Sequence, residues 1–124
     1  MIDFKNKSVF KLTRTKGFTN EKVISPLFVP GETFVGEYQA LRDYVIFTNK
    51  RIIAVNVQGI TGKKKDFSTL PYSRIQAFSV ETSGVFDLDS ELELWFSGLG
   101  SIKLEFSGDS DILEIEKLIA EKIL

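Results

Sequence analysis

Residues 44–57, YVIFTNKRIIAVNV, constrain this chain more than any other stretch. Two apolar runs flank Asn49-Lys50, a polar pair suited to a hairpin tip. Folding the runs together about that tip puts Tyr44, Ile46, Ile53 and Val55 on one face. Val45, Phe47, Ile52 and Ala54 then share the other. Both faces are apolar, so the hairpin needs cover on both sides. A thin sandwich supplies one cover. The second face is expected under the N-terminal segment or at a subunit contact, which makes Val45, Phe47 and Ile52 candidates for an oligomer interface.

The rest of the chain supplies further strands. TFVGEYQAL (33–41) is a strand broken at Arg42-Asp43. KKDFSTL (64–70) is another, reached through Gly59 to Gly62, and Pro71-Tyr72 turns the chain. RIQAFSVET (74–82) follows, with Ile75, Ala77 and Ser79 facing one way and Gln76, Phe78 and Val80 the other. SGVFDLDS (83–90) reads as a loop. ELELWF (91–96) and SIKLEF (101–106) form a hairpin across Gly98-Leu99-Gly100. Pairing Ser97 with Ser101 sets Leu92, Leu94 and Phe96 opposite Phe106, Leu104 and Ile102 on a core face. The other face carries Glu93 and Trp95 opposite Glu105 and Lys103. Trp95 therefore points outward, as an interface anchor or packed under a neighbouring loop.

The two ends of the chain differ. KNKSVFKLTRTK (5–16) is basic and reads as an arm or a short strand. TNEKVISPLFVPGE (19–32) opens as a short helix with Thr19 or Asn20 as N-cap, stopped by Pro26. DSDILEIEKLIAEKIL (109–124) is a helix capped by Asp109 or Ser110. Its apolar stripe is Ile112, Ile115, Ile119 and Ile123, widened by Leu118. The organisation expected is one domain: an arm and short helix over 1–30, seven strands over 31–108 and a helix over 109–124.

Composition removes much chemistry. The 124 residues include no cysteine and no histidine. That leaves no disulfide, no thiol nucleophile and no histidine base, and no enzyme, cofactor or metal is expected. No apolar run is long enough to span a membrane and the N-terminus lacks a secretory signal, so cytoplasm is the expected location. The net charge of −1 conceals a split. Residues 1–65 hold 12 Lys/Arg against 5 Asp/Glu; residues 66–124 hold 4 against 12. Folding either interleaves these halves or makes a bipolar molecule, able to touch anionic lipid or stack head to tail with copies of itself.

Residues 58–65, QGITGKKK, look like a phosphate-gripping loop. A Walker loop needs G-x-x-x-x-G-K-[ST] ahead of a helix. Here the glycines are three apart, a lysine stands where Ser/Thr belongs, and a strand follows. A glycine-punctuated hairpin turn fits better. Lys63, Lys64 and Lys65 remain as a candidate anion or lipid contact. Asp87, Asp89 and Glu91 lack the spacing of a calcium loop. Arg42-Asp43 is expected as a buried pair at a strand junction. Aromatics sit mostly at core positions and the chain is not basic overall, so nucleic acid is not an expected partner.

Three stretches, RDYVIFTNKRIIAVNVQGITGKK, LPYSRIQAFSVETSG and FDLDSELELWFSG, resemble the bacterial pleckstrin-homology (PH) domain family. The signatures are Arg42-Asp43, Phe47 to Asn49, Gln58 to Lys64, Pro71 to Ile75 and Asp87 to Leu92, and the resemblance covers about residues 30–124. It implies a mainly β fold: a PH-like seven-stranded β-sandwich or partly open barrel, with a C-terminal helix capping one end and an N-terminal extension. It further implies a non-enzymatic cytoplasmic module that assembles as a symmetric homo-oligomeric ring. Two functions follow as expectations. The first is an interaction module that self-assembles, through Val45, Phe47, Ile52 and Trp95, with another protein as a further partner class. The second is a peripheral membrane binder that meets anionic, phosphoinositide-like headgroups through Lys63 to Lys65 and the basic arm. In eukaryotic PH domains the headgroup site lies mostly on the first hairpin, here YQALRDYV, which offers only Arg42.

Overall fold

The computed structural model describes residues 1, 9–108 and 111–124. The hairpin forms as its pattern requires. β3 (Asp43–Thr48) and β4 (Arg51–Gln58) pair in the register Tyr44↔Val55, Val45↔Ala54, Ile46↔Ile53 and Phe47↔Ile52. β2 (Phe34–Ala40) flanks β3, and β5 (Lys64–Pro71) flanks β4. β6 (Ile75–Glu81), β7 (Ser90–Phe96) and β8 (Gly100–Phe106) make a second antiparallel meander. The basic N-terminal stretch resolves as a strand, β1 (Val9–Arg14), antiparallel to β2 and parallel to β8. It joins the meanders into one eight-stranded sheet of order β5-β4-β3-β2-β1-β8-β7-β6.

That sheet folds over on itself. Val45, Phe47, Ile52 and Ala54 from one meander share a core with Leu92, Leu94, Ile102, Leu104 and Phe106 from the other. The edge strands β5 and β6 are consecutive in the chain and are linked by a 3₁₀ turn, Tyr72–Arg74. Helix α2 (Ile112–Ile123) packs against that turn and against β6 and β7, closing the open side. Ile112, Ile115 and Ile119 are its buried stripe, with Leu118 and Ile123 half-buried beside them.

The outer face of β3–β4 forms a second, smaller core. Tyr44, Ile46, Ile53 and Val55 pack with Ile24, and Phe18, Val23, Phe28 and Phe34 wrap around them. Phe18 stacks on Phe34 at 4.1 Å between ring centroids. The second cover is therefore the N-terminal segment of the same chain. This corrects the interface expectation for Val45, Phe47 and Ile52. Each is 0–1% exposed inside the first core and has no surface to offer a partner.

Two buried carboxylates fasten that cover. α1 (Glu21–Ile24) is one turn long, too short to hold by itself. Its N-cap, Asn20, makes no side-chain cap. Glu37 of β2 instead accepts from the Asn20 backbone N at 3.1 Å, from Asn20 Nδ2 at 2.9 Å and from the Thr19 hydroxyl. Pro26 does not stop the chain's winding; it opens a 3₁₀ turn, Ser25–Leu27. Beyond it Glu32 is 8% exposed and forms a bidentate pair with Arg51, through Nε at 2.9 Å and Nη2 at 3.0 Å. Glu32 also accepts from the Thr48 hydroxyl at 2.7 Å and the Val29 backbone N at 3.1 Å. Arg51 donates to the Leu27 carbonyl and the Thr69 hydroxyl, and the Tyr72 hydroxyl donates to the Thr48 carbonyl. Loop, hairpin tip, β5 and the β5–β6 turn meet in this one cluster.

Three sequence expectations shift in detail. In β6 the register slips between Ile75 and Ala77, so Gln76 bulges and Ile75, Phe78 and Val80 all face the core. In the β7–β8 hairpin Phe96 pairs with Gly100 rather than with Ile102. The turn is three residues, with Gly98 and Gly100 both at positive φ, and the pairing moves by two while each side chain keeps its face. Asp109 and Ser110 lie outside the described residues. The residue at the helix N-cap position is Asp111, and its carboxylate accepts from Arg14 at 2.9 Å instead of capping.

Burial pushes the Glu32 pKa up, but the hydrogen bonds from Arg51, Thr48 and Val29 outweigh it and hold the pKa below the ordinary value. Glu32 then stabilises the fold above its unfolded-state pKa, and that contribution is lost as pH falls through the lowered one. Arg51→Met leaves the carboxylate buried and unpaired, and is expected to cost about 3–5 kcal/mol in chemical denaturation at neutral pH. The gap from wild type should narrow as pH falls, and Glu32→Leu/Arg51→Met should recover most of the loss.

Candidate functional site

The lysine-bearing turn is built from two sequence signatures that meet in space. Gly59 and Gly62 adopt positive φ of 78° and 70°, and Gly62 N donates to the Gly59 carbonyl at 3.3 Å. Left-handed backbone here is what the glycines are for. Arg42, in the β2–β3 turn, donates to the Gly59 carbonyl through Nη1 and the Val57 carbonyl through Nη2, both at 2.8 Å. Asp43 accepts from Val57 N at 2.9 Å and from Asn56 Nδ2. The expected buried Arg42–Asp43 pair is thus corrected: Arg42 is exposed, and both side chains reach across to the end of β4 instead of to each other.

The three lysines divide by role. Lys65 is half-buried and donates to the Gly62 carbonyl at 3.0 Å, closing the turn. Lys63 and Lys64 are exposed, with no acidic partner among the described residues. Beside them stand two aliphatic side chains without cover, Leu41 at 96% exposure and Ile60 fully exposed. The Arg42 hydrogen bonds bring these turns together into one corner that is both basic and apolar.

The second meander presents the opposite surface. Its outer face is a grid set by strand register: Ala77–Trp95–Ser101, then Ser79–Glu93–Lys103, then Glu81–Glu91–Glu105. Trp95 faces outward as expected, at 37% exposure, but opposite Ala77 and Ser101 instead of Lys103. The last row sets three glutamates side by side, which is unfavourable. Lys103 lies 3.9 Å from Glu91 and Lys11 lies 3.6 Å from Asp89. Burial raises the Glu105 pKa, and repulsion from Asp89 adds to it; Lys11 opposes, and Glu91 and Asp87 push it up further.

The β6–β7 loop rises next to that row. Its backbone closes on itself, Gly84 N donating to the Asp87 carbonyl at 2.6 Å and Asp89 N to Asp87 Oδ1 at 3.0 Å. Val85, Phe86 and Leu88 project from it at 86%, 100% and 64% exposure. Among the described residues no cluster of three or more carboxylates is arranged to hold a metal ion. No described helix is long and apolar enough to cross a membrane.

Sequence reasoning placed Trp95 and the lysines on the surface and missed Leu41, Ile60, Val85, Phe86 and Leu88. The signal available was local: apolar residues inside turn chemistry, with no periodic partner to bury them.

Comparison with known proteins gives concordant results. Residues 3–123 match the family model described as the bacterial PH domain. That span takes in the N-terminal segment, beyond the stretch from about residue 30 that the motifs marked. The chain is 43% identical over 102 residues to the uncharacterised Bacillus subtilis protein YjqA, covering 81% of this chain and 82% of that one. It is 32% identical to the uncharacterised YozO of the same organism, covering 93% and 96%. A crystal structure of a DUF1696 family protein with a pleckstrin-homology domain, from Shewanella loihica, superposes with a TM-score of 0.79 at 35% identity, over 93% of this chain and 99% of that one. A pleckstrin homology domain from Shewanella amazonensis superposes with a TM-score of 0.63 at 39% identity, over 84% and 85%.

The junction between the two signatures is open to test. Arg42→Ala removes both hydrogen bonds to the β4–β5 turn and is expected to cost about 1–2 kcal/mol. Amide exchange at residues 57–62 should accelerate, while the β7–β8 hairpin should keep its protection.

Proposed function

The chain belongs to the bacterial PH-domain family, and on that footing we propose that it is a non-enzymatic interaction module that assembles with copies of itself. The observation that carries this reading is the β6–β7 loop, which holds Val85, Phe86 and Leu88 away from the body of the protein. Burying a large apolar side chain is worth about 1.5–3 kcal/mol, so three on one loop make a strong contact once covered. Trp95 on the same meander adds a second anchor of the type that dominates interfaces. The first meander has its outer face covered by the N-terminal segment; the second has no such cover among the described residues.

A non-catalytic role fits the chemistry of the chain. It has no histidine or cysteine. Its two buried carboxylates, Glu32 and Glu37, are saturated by hydrogen bonds that hold the fold together, and neither opens onto a site where it would serve as a base.

Light scattering across the micromolar range tests the proposal. The expected mass is a multiple of 14.0 kDa, reduced by Phe86→Ser with the fold unchanged. A constant 14.0 kDa at the highest concentration would overturn it.

A further inference from the structure

Beyond self-association and independent of it, we infer that the cleft at the β5–β6 turn binds the C-terminus of a partner peptide, its carboxylate on Arg74 and its apolar last side chain on the cleft floor.

The cleft lies where the two edges of the folded-over sheet are linked. The end of β5, the 3₁₀ turn Tyr72–Arg74 and the tip of the β7–β8 hairpin line it. Its volume is about 310 Å³, at the small end of the range for ligand sites. Leu70, Pro71, Phe96 and Leu99 supply apolar surface, and no acidic residue lines it. Leu70 and Phe96 belong to the main core and Leu99 packs against it, so the floor is preformed.

The second ground is Arg74. The chain has four arginines, and the other three are committed within the fold. Arg14 pairs with Asp111, Arg51 pairs with Glu32, and Arg42 donates to the Gly59 and Val57 carbonyls. Arg74 is exposed and makes no hydrogen bond or ion pair among the described residues. The β6–β7 register ends at Ile75↔Phe96, which makes Arg74 and Ser97 neighbours at the end of that ladder. A guanidinium fork beside a hydroxyl suits a planar carboxylate. A phosphate would set a more highly charged, strongly hydrated group against four apolar side chains with one cation to balance it.

The third ground selects a peptide over a free acid. β5 arrives at the cleft as an edge of the sheet, with no strand pairing its outer side among the described residues. An extended chain can pair its backbone with that edge while its last residue occupies the cleft. A small acid leaves the edge unused.

The test is fluorescence anisotropy of the full-length protein with a fluorescein-labelled Ser-Thr-Val-Ser-Thr-Leu peptide, as free acid and as C-terminal amide. The free acid is expected to bind, and the amide to bind about tenfold more weakly or worse. Arg74→Gln removes no contact of the fold and should weaken the free acid by the same factor, Arg74→Lys by less, with the amide unaffected. Lys63→Gln, an equal loss of charge elsewhere, should change nothing. The inference is overturned if acid and amide bind alike, if neither binds, or if Lys63→Gln weakens the acid as much as Arg74→Gln. Isocaproate, an apolar acid without a backbone, supplies the remaining arm. Competition by isocaproate at the peptide's own affinity would make this a small-acid site and the peptide assignment wrong. Light scattering keeps the two proposals apart. Arg74→Gln should keep the wild-type mass, and a change in mass would assign Arg74 to contacts between copies and sink the inference. A monomeric wild type overturns self-association alone, and the peptide arms still decide this site.

Discussion

Between Tyr44 and Val55 the β3–β4 hairpin buries both of its faces, and the molecule is organised to supply two covers. One cover is the second meander with helix α2. The other is a segment of chain from Phe18 to Phe34 that contains a single helical turn and a 3₁₀ turn. Such a segment has little structure of its own and is held by what it touches. Aromatic stacking gives it area. Glu37 and Glu32 give it position, because each takes donors from the segment while standing on or beside the sheet. A carboxylate taken out of water is costly unless its oxygens are filled, and here they are. The clasps are thus conditional: they stabilise this arrangement and penalise alternatives in which a carboxylate is buried without its donors.

Covering the hairpin twice has a consequence for the surface. The first meander spends its outer face on the N-terminal segment, so its accessible chemistry lies at its turns, the Arg42 junction above all. Among the described residues nothing covers the outer face of the second meander, which has Trp95 at one end of the grid and three glutamates at the other. β1 sits between the meanders, and its Lys11 and Arg14 tie the two halves electrostatically. The charge split visible in the sequence survives folding because the sheet is one ordered ribbon, in which early strands stay together and late strands stay together.

Much of this was legible in the residues, for definable reasons. Unbroken apolar runs around Asn49-Lys50 report burial on both sides directly, and the register found is the one the tip dictates. The pattern could not say whether the second cover came from the same chain or from another copy; the packing of Ile24 with Tyr44, Ile46, Ile53 and Val55 decides it, and that is a long-range contact. In β7–β8, alternation set the faces correctly, but the choice of partners depends on where the three-residue turn begins, which Gly98 and Gly100 leave open. In β6 a bulge at Gln76 breaks the period that alternation assumes. Glu32 and Glu37 read as surface residues until their donors are known, and apart from Val29 those donors lie far along the chain, at Thr19, Asn20, Thr48 and Arg51. Of the candidate site, Lys63, Lys64 and Trp95 were placed on the surface by pattern. Leu41, Ile60, Val85, Phe86 and Leu88 are not legible as surface residues, because apolar residues in turns and loops have no period that marks them.

The central claim is that the hairpin and both covers form one cooperative unit. Native-state amide hydrogen exchange of the full chain at increasing denaturant tests it most directly. Amides of Ile24, Ile46 and Ile53 in the smaller core should open with the same free energy and denaturant dependence as those of Ile102 and Leu104 in the larger one. If residues 18–32 exchange through a much cheaper opening while the β3–β4 amides stay protected, the N-terminal segment is an accessory and the account is contradicted.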